Sequence, residues 1–301
     1  MIKSVTITNH LGESIKLILT QPELSGFVIQ SIDGLGPVDA DVHFSELATV
    51  DGAIDNSARL NSRNITMSLK FLENPTIEAT RLLSYKYFPI KRTIRFTIET
   101  DSRICYAEGR IEKNEPKIFD KEEGCSISIM CPDPYFHSEE SSTLSFYGID
   151  PEFEFPFENN SVEESLIEFG DVFYMTEGEI NYEGDAEVGV IIKVHATGPA
   201  TGFAVYDYKT REVMSISDEK LIALLGSGIR AGDVITINTT RSHKSITMLR
   251  NGVVTNILNS LEKPLSWFTL KKGNNIFVYT ATAGLSALQF DIIYDTIYEG
   301  V

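Results

Sequence analysis

The stretch Arg63-Asn64-Ile65-Thr66-Met67-Ser68-Leu69-Lys70-Phe71 sets an apolar side chain at every second position from Ile65 to Phe71, with polar residues between them. Successive side chains of a strand point to opposite faces, so a period of two describes a strand with one face buried and the other in water. The same alternation recurs on both sides of this stretch. Upstream stands Ser4-Val5-Thr6-Ile7-Thr8; downstream stand Arg92-Thr93-Ile94-Arg95-Phe96-Thr97-Ile98-Glu99 and Ser126-Ile127-Ser128-Ile129-Met130. β-Branched and aromatic residues are enriched in these runs, which points to antiparallel sheet. One helix interrupts them. Asn74-Pro75 reads as an N-cap followed by proline at the first helical position, and the spacing predicts a helix from Thr76 to Lys86 carrying Ile77, Leu82 and Leu83. Tyr87-Phe88-Pro89 ends it.

The motif Cys131-Pro132-Asp133-Pro134-Tyr135-Phe136 places two prolines where a ladder would need donors, so the first domain is expected to close there, at residues 1–137. Residues 138–160 are expected to be a linker lying along a domain surface. The phenylalanines of Phe153-Glu154-Phe155-Pro156-Phe157 would share one face if extended, and a plain edge strand is the alternative reading. A second strand-rich unit follows over 161–301. Its strands are expected at Val188–Val194, Phe203–Tyr206, Val234–Ile237, Ser245–Leu249, Ile276–Tyr279 and Leu288–Tyr294. Asn251-Gly252 supplies the pair that a two-residue type I′ hairpin favours, because both central residues must accept positive φ. Lys271-Lys272-Gly273-Asn274-Asn275 is a second turn. Regularly spaced strands with such turns predict a β-sandwich of jelly-roll or lectin-like outline. The chain is expected to be mainly β throughout.

Composition narrows the function. The 301 residues, 42% of them hydrophobic, suffice for a sizeable core and exceed the usual size of one domain. No window approaches the roughly 20 consecutive apolar residues of a membrane-spanning helix. Met1–Ile7 reads as a strand and lacks the features of a secretory signal, so synthesis and folding in a cytoplasm are expected. With 26 Lys and Arg against 43 Asp and Glu, the net charge of −17 leaves little cationic surface for phosphate, which argues against nucleic-acid binding. The same acidity favours solubility.

Motifs for catalysis are missing. Cys105, Cys125 and Cys131 show no C-x-x-C spacing and are read as buried thiols, and the five histidines lack H-E-x-x-H or H-x-H spacing. Gly34-Leu35-Gly36-Pro37-Val38 is glycine-rich, but no Gly-Lys-Ser/Thr follows, so it is a turn rather than a phosphate cradle. Together with Asp51 and Gly52 it brackets a polar excursion over about residues 33–60, longer than an ordinary hairpin connection and suited to contact with a neighbouring subunit. No G-x-S-x-G elbow occurs, and 43 acidic residues supply carboxylate pairs by chance alone, so neither hydrolase chemistry nor a cofactor is expected. Trp267 and Tyr206 are candidate sugar-stacking residues; the commoner role for such aromatics in alternating strands, and for Tyr208, is in the core.

Taken in order and spacing, several segments resemble the distal tail (Dit) proteins of long-tailed bacteriophages that infect Gram-positive bacteria. They are Gly34–Val38, Arg63-Asn64-Ile65, the helix ending in Tyr87–Lys91, and above all Cys131–Phe136. In the second half Lys244–Gly252, Trp267–Asn275 and Tyr298-Glu299-Gly300-Val301 complete the likeness, which covers nearly the whole chain. The resemblance implies an N-terminal β-sandwich domain with one helix and a C-terminal galectin-like sandwich. It implies a homohexameric ring at the distal end of the virion tail, assembled in the host cytoplasm, joining the tail tube protein to the tail-associated lysin or baseplate hub. Receptor-binding and tape measure proteins are further implied partners, and no catalytic or metal-binding residue is carried over. A carbohydrate-binding receptor-recognition protein, or the baseplate adaptor of a contractile tail or phage-derived bacteriocin, are the alternatives. In a ring, acidic side chains lining the channel would repel passing DNA.

Overall fold

The computed structural model of the chain describes residues 1–46, 51–150, 171–263 and 265–301. The chain divides into two compact units, Met1–Glu140 with Ile297–Val301, and Ser141–Thr296. Both are built almost wholly from antiparallel strands.

In the first unit the strands are β1 (Ile2–Thr8), β2 (Ser14–Ile18), β3 (Phe27–Asp33), β4 (Ala40–Glu46), β5 (Ala53–Leu60) and β6 (Arg63–Phe71). Helix α1 (Ile77–Tyr87) and strands β7 (Thr93–Thr100), β8 (Ile104–Lys117), β9 (Gly124–Cys131) and β10 (Phe136–Ser138) follow. One sheet runs in the order β2-β1-β7-β8-β9-β6-β3, and β10 joins it on β8. The alternation seen in the sequence is the alternation of burial. Ile65, Met67, Leu69 and Phe71 of β6 face the core with Val5, Ile7, Ile94, Phe96, Ile98, Ile127 and Ile129. Burying a side chain of this size contributes roughly 1.5–3 kcal/mol, so these rows supply much of the unit's stability.

Helix α1 lays Ile77, Leu83 and Tyr87 on that core and leaves Leu82 exposed. Its cap is not Asn74, as expected, but Thr76, whose hydroxyl oxygen accepts from the Ala79 amide at 3.1 Å. Pro75 therefore precedes the cap. At the other end, Asn114 Nδ2 donates to the Ser84 and Phe88 carbonyls, satisfying groups a helix end leaves open.

The second unit holds β11 (Ser142–Ser145), β12 (Tyr147–Asp150), β13 (Asp171–Tyr174), β14 (Glu177–Tyr182), β15 (Val188–Gly189), β16 (Ile191–Ala196), β17 (Ala204–Asp207) and β18 (Glu212–Ser215). After helix α2 (Asp218–Leu225) come β19 (Val234–Asn238), β20 (Ser245–Arg250), β21 (Val253–Asn256), β22 (Thr269–Leu270), β23 (Gly273–Thr280) and β24 (Leu288–Tyr294). Strand β25 (Ile297–Tyr298) pairs with β10 in the first unit's sheet. Two sheets, β11-β24-β16-β19-β20-β21 and β14-β23-β17-β18, share one core. Aromatic rings knit it: Phe146 meets Phe290 edge-on at 4.8 Å, and Tyr279 stacks on Phe290 at 4.9 Å.

Several expectations change here. Residues 138–160 are not simply a linker, because Ser142–Ser145 pairs with β24 inside the second unit; Phe153, Phe155 and Phe157 lie outside the described residues. Residues 297–301 belong to the first unit, not the second. Helix α2 was not expected, although Ser217 ahead of it, Asp218 and Glu219 in its first turn and Gly226, at φ 77° behind it, are ordinary boundary signals. Asn251 and Gly252 take φ of 51° and 78°, and Arg250 pairs with Val253, as the hairpin reading requires.

All three cysteines are free and buried. Burial pushes the Cys105 and Cys131 thiols up to about 11 and Cys125 to about 12. Since the thiolate is the reactive form, iodoacetamide at pH of about 8 is expected to label none of them in the native chain and all three in denaturant. Rapid native labelling of any one would contradict this packing.

Candidate assembly surfaces

Arg63 stands in phase with Ile65 and Met67, on the buried face of β6, and is 0% exposed. Among the described residues its guanidinium meets no carboxylate. Instead Nε donates to the Pro134 carbonyl at 2.8 Å, Nη1 to the Gly34 and Gly36 carbonyls at 2.5 and 2.7 Å, and Nη2 to the Glu299 carbonyl at 2.7 Å. The cation also lies 4.3 Å from the centre of the Phe136 ring. Burial lowers its pKa, with Cys131 and Asp133 opposing, yet a guanidinium stays protonated in any protein.

One side chain thus gathers four segments far apart in sequence: Gly34–Val38, Arg63–Ile65, Cys131–Phe136 and Tyr298–Val301. Supporting bonds hold each segment in place. The Val301 amide donates to the Leu35 carbonyl at 3.0 Å, and Asp133 Oδ1 accepts from the Tyr135 amide at 3.1 Å, closing the turn between the two prolines. Asp133 Oδ2 lies 3.1 Å from His137 Nε2. Gly34 sits at φ +84°, and a Cβ there would fall 2.1 Å from the Asn64 carbonyl oxygen, so only glycine fits. The role of Arg63 was missed in the sequence. Its signal was present, a charge in phase with the apolar face of a strand.

Beyond Gly36 the chain enters the β4–β5 hairpin, a two-stranded sheet of its own that pairs with no other described strand. The excursion expected as a long loop is therefore a ribbon, with Asp51 and Gly52 beside its tip. Its side chains are exposed almost throughout. Alternation and register put Val42, Phe44 and Ala58 on one face, and Phe44 is 61% exposed. Arg59 pairs with Asp41 at 3.2 Å on the other. Gly34, Leu35, Gly36 and Pro37 form the anchored root of this ribbon, and Asp51 and Gly52 lead into β5 at its other end.

In the second unit Trp267 is half-buried against the core, with Lys244 Nζ 5.5 Å from its ring centre. Tyr206 and Tyr208, expected in the core, face outward, 39% and 70% exposed. The two sugar-stacking candidates are not brought together: the depression lined by Tyr206 does not include Trp267. Among the described residues no group of three or more His, Cys, Asp and Glu could hold a metal ion, and no helix is long and apolar enough to cross a membrane.

Comparison with known structures now identifies the architecture. The crystal structure of the SPP1 Dit protein, a paradigm of the hub adsorption apparatus in phages that infect Gram-positive bacteria, aligns over 97% of this chain and 98% of its own. The TM-score is 0.65. The chain has the fold of the SPP1 Dit protein. At 12% identity the likeness to that protein is one of fold, preserved across both units. Phage P2 baseplate structures in the activated conformation, with Ca and with Sr, align more loosely. Their TM-scores are 0.46 and 0.43, each at 11% identity, covering 98% and 96% of this chain and 98% and 97% of theirs. No protein-family model matches the chain. No curated protein sequence matches it either.

Proposed function

We propose that this chain is a non-enzymatic structural protein of a bacteriophage tail tip, at the distal end of the virion tail. Six copies close into a ring that joins the tail tube to the tail-associated lysin or baseplate hub. The unit Met1–Glu140 with Ile297–Val301 forms the ring, and Ser141–Thr296 carries host-adsorption proteins. Assembly takes place in the host cytoplasm. The observation that carries this reading is the fold likeness to the SPP1 Dit protein along essentially the full length of both chains.

The exposed ribbon supports it. A two-stranded hairpin is marginal by itself in water, so a ribbon presenting Val42 and Phe44 to solvent is best explained by a neighbour that covers it. In a cyclic assembly the same ribbon meets the next copy around the axis, and every copy is covered in turn. Its root is fixed by Arg63, which sets the direction in which the ribbon leaves the unit.

The test is native mass measurement with negative-stain microscopy, on the chain alone and co-expressed with its tail-tube and hub neighbours. Rings of six with a central hole are expected. Val42→Asp with Phe44→Asp should leave a folded monomer, ring association falling by at least about a hundredfold, as when a central apolar anchor is lost. A chain that stays monomeric beside both neighbours, or rings indifferent to the double substitution, would overturn the reading.

A further inference from the structure

The outer face of the four-stranded sheet β14-β23-β17-β18 carries a further set of exposed side chains, away from the β4–β5 ribbon in sequence. Val205, Asp207, Phe277 and Tyr279 point into the sandwich, which by alternation turns Tyr206, Val278 and Thr280 outward. The chain turns at Tyr208, whose amide still donates to the Ile276 carbonyl at 2.9 Å, and Tyr208 borders the same depression as Tyr206. Tyr206 stands directly opposite Val278. Together with Lys209 and Arg211 these residues line an open depression of about 790 Å³.

The polar groups around the rings have both signs. On one side, β14 sets Glu177 opposite Val278 and Glu179 opposite Ile276, both exposed on this face. On the other side Arg211 is exposed, held at φ 58° by the β17–β18 turn. That turn is rigid: Asp207 Oδ1 accepts from the Lys209 and Thr210 amides at 2.9 and 3.2 Å, and Lys209 Nζ donates to the Asn274 carbonyl. Exposed tyrosine rings, a guanidinium that donates beside them and carboxylates that accept further across the same sheet face match the surface of a pyranose, which offers hydroxyls of both kinds around an apolar C–H face. Glu177 and Glu179, on the same sheet face outside the depression's lining, offset the cations Lys209 and Arg211 within it, which favours a neutral polar ligand over a polyanion.

We propose that this face binds neutral saccharide, stacking pyranose rings on Tyr206 and Tyr208, with Arg211 donating to and Glu177 or Glu179 accepting from sugar hydroxyls. The site lies within one unit, and the proposal does not rest on the ring.

The experiment is titration of the full chain, followed by saturation-transfer NMR, with neutral oligosaccharides of glucose, galactose, N-acetylglucosamine and rhamnose, and with poly(glycerol phosphate). Saturable binding of at least one neutral oligosaccharide is expected. It should weaken at least about tenfold in Tyr206→Ala/Tyr208→Ala, survive in Tyr206→Phe/Tyr208→Phe, which keeps the ring faces, and survive in Trp267→Phe. It should also persist from about 50 to about 500 mM salt, because the ligand is uncharged. The alanine sites are exposed, and an unchanged circular dichroism spectrum verifies folding. The proposal is overturned if no neutral oligosaccharide binds, if the alanine pair binds as well as the parent, or if only the polyanion binds and salt abolishes it.

Discussion

Arg63→Met is expected to destabilise the first unit by about 4 kcal/mol or more, because four carbonyl groups lose their donor at once and each buried acceptor left open costs roughly 1–3 kcal/mol. Methionine fills most of the arginine's volume, so the loss measures hydrogen bonding and charge rather than a cavity. Lysine is not a substitute. Its three donors radiate from one nitrogen, whereas Gly34, Gly36, Pro134 and Glu299 are matched by the planar fork, and Arg63→Lys should still cost about 2 kcal/mol. Urea unfolding followed by far-ultraviolet circular dichroism reads the effect. Trp267, the single tryptophan, lies in the second unit, so its fluorescence should follow a separate and unshifted transition. A loss below about 1 kcal/mol for the methionine variant would mean that the converging segments hold without the guanidinium.

The second large effect belongs to the other unit. Asp233 is 2% exposed, and its carboxylate receives Arg250 Nε at 2.8 Å and Nη2 at 2.5 Å, with the Arg230 amide at 2.9 Å. Arg250 also donates to Ser227 Oγ and the Gly228 carbonyl, binding the turn after α2 to β20. Removing one partner of a buried pair leaves an uncompensated charge, so Arg250→Met is expected to cost about 3–5 kcal/mol at neutral pH. Trp267 fluorescence in urea should report it.

The pH dependence follows from the same geometry. Burial pushes the Asp233 carboxyl upward, but the Arg250 guanidinium and the Arg230 amide outweigh it and hold the pKa below the ordinary value. A depressed folded-state pKa gives stability that is fully present above the unfolded value of about 3.9 and is lost as pH falls through the folded one. In Arg250→Met burial is opposed by the Arg230 amide and charge alone, so the carboxyl titrates higher and takes up its proton sooner. The gap between parent and variant should therefore narrow on acidification from pH of about 7 to about 4.5. A constant gap would place the cost in lost packing around Arg250 instead.

Much of this fold was legible in the residues because its causes are local. Burial on one face of a strand appears as a period of two, and the run 63–71 is a strand over its whole length. Asn251-Gly252 predicts its turn because positive φ at adjacent positions is a property of those two residues. The sequence points to Asn74 as the cap, two residues before Thr76, since both residues can cap and only the position of the Ala79 amide chooses between them. Helix α2 is not legible in the sequence because eight residues carry too little periodicity to stand out among strands.

The rest depended on which distant surfaces meet. Arg63 announces only that a charge lies on an inward face; its four acceptors come from residues 34, 36, 134 and 299, and no spacing along the chain relates them. Tyr206 of β17 is the converse case. Alternation dictates that Tyr206 lies opposite to Asp207, but not which side turns to water. That choice was made by packing the four-stranded sheet on the six-stranded one, where Asp207 could be buried because its carboxylate closes a turn. Local chemistry sets the alternation, and only the packed neighbour assigns its sign.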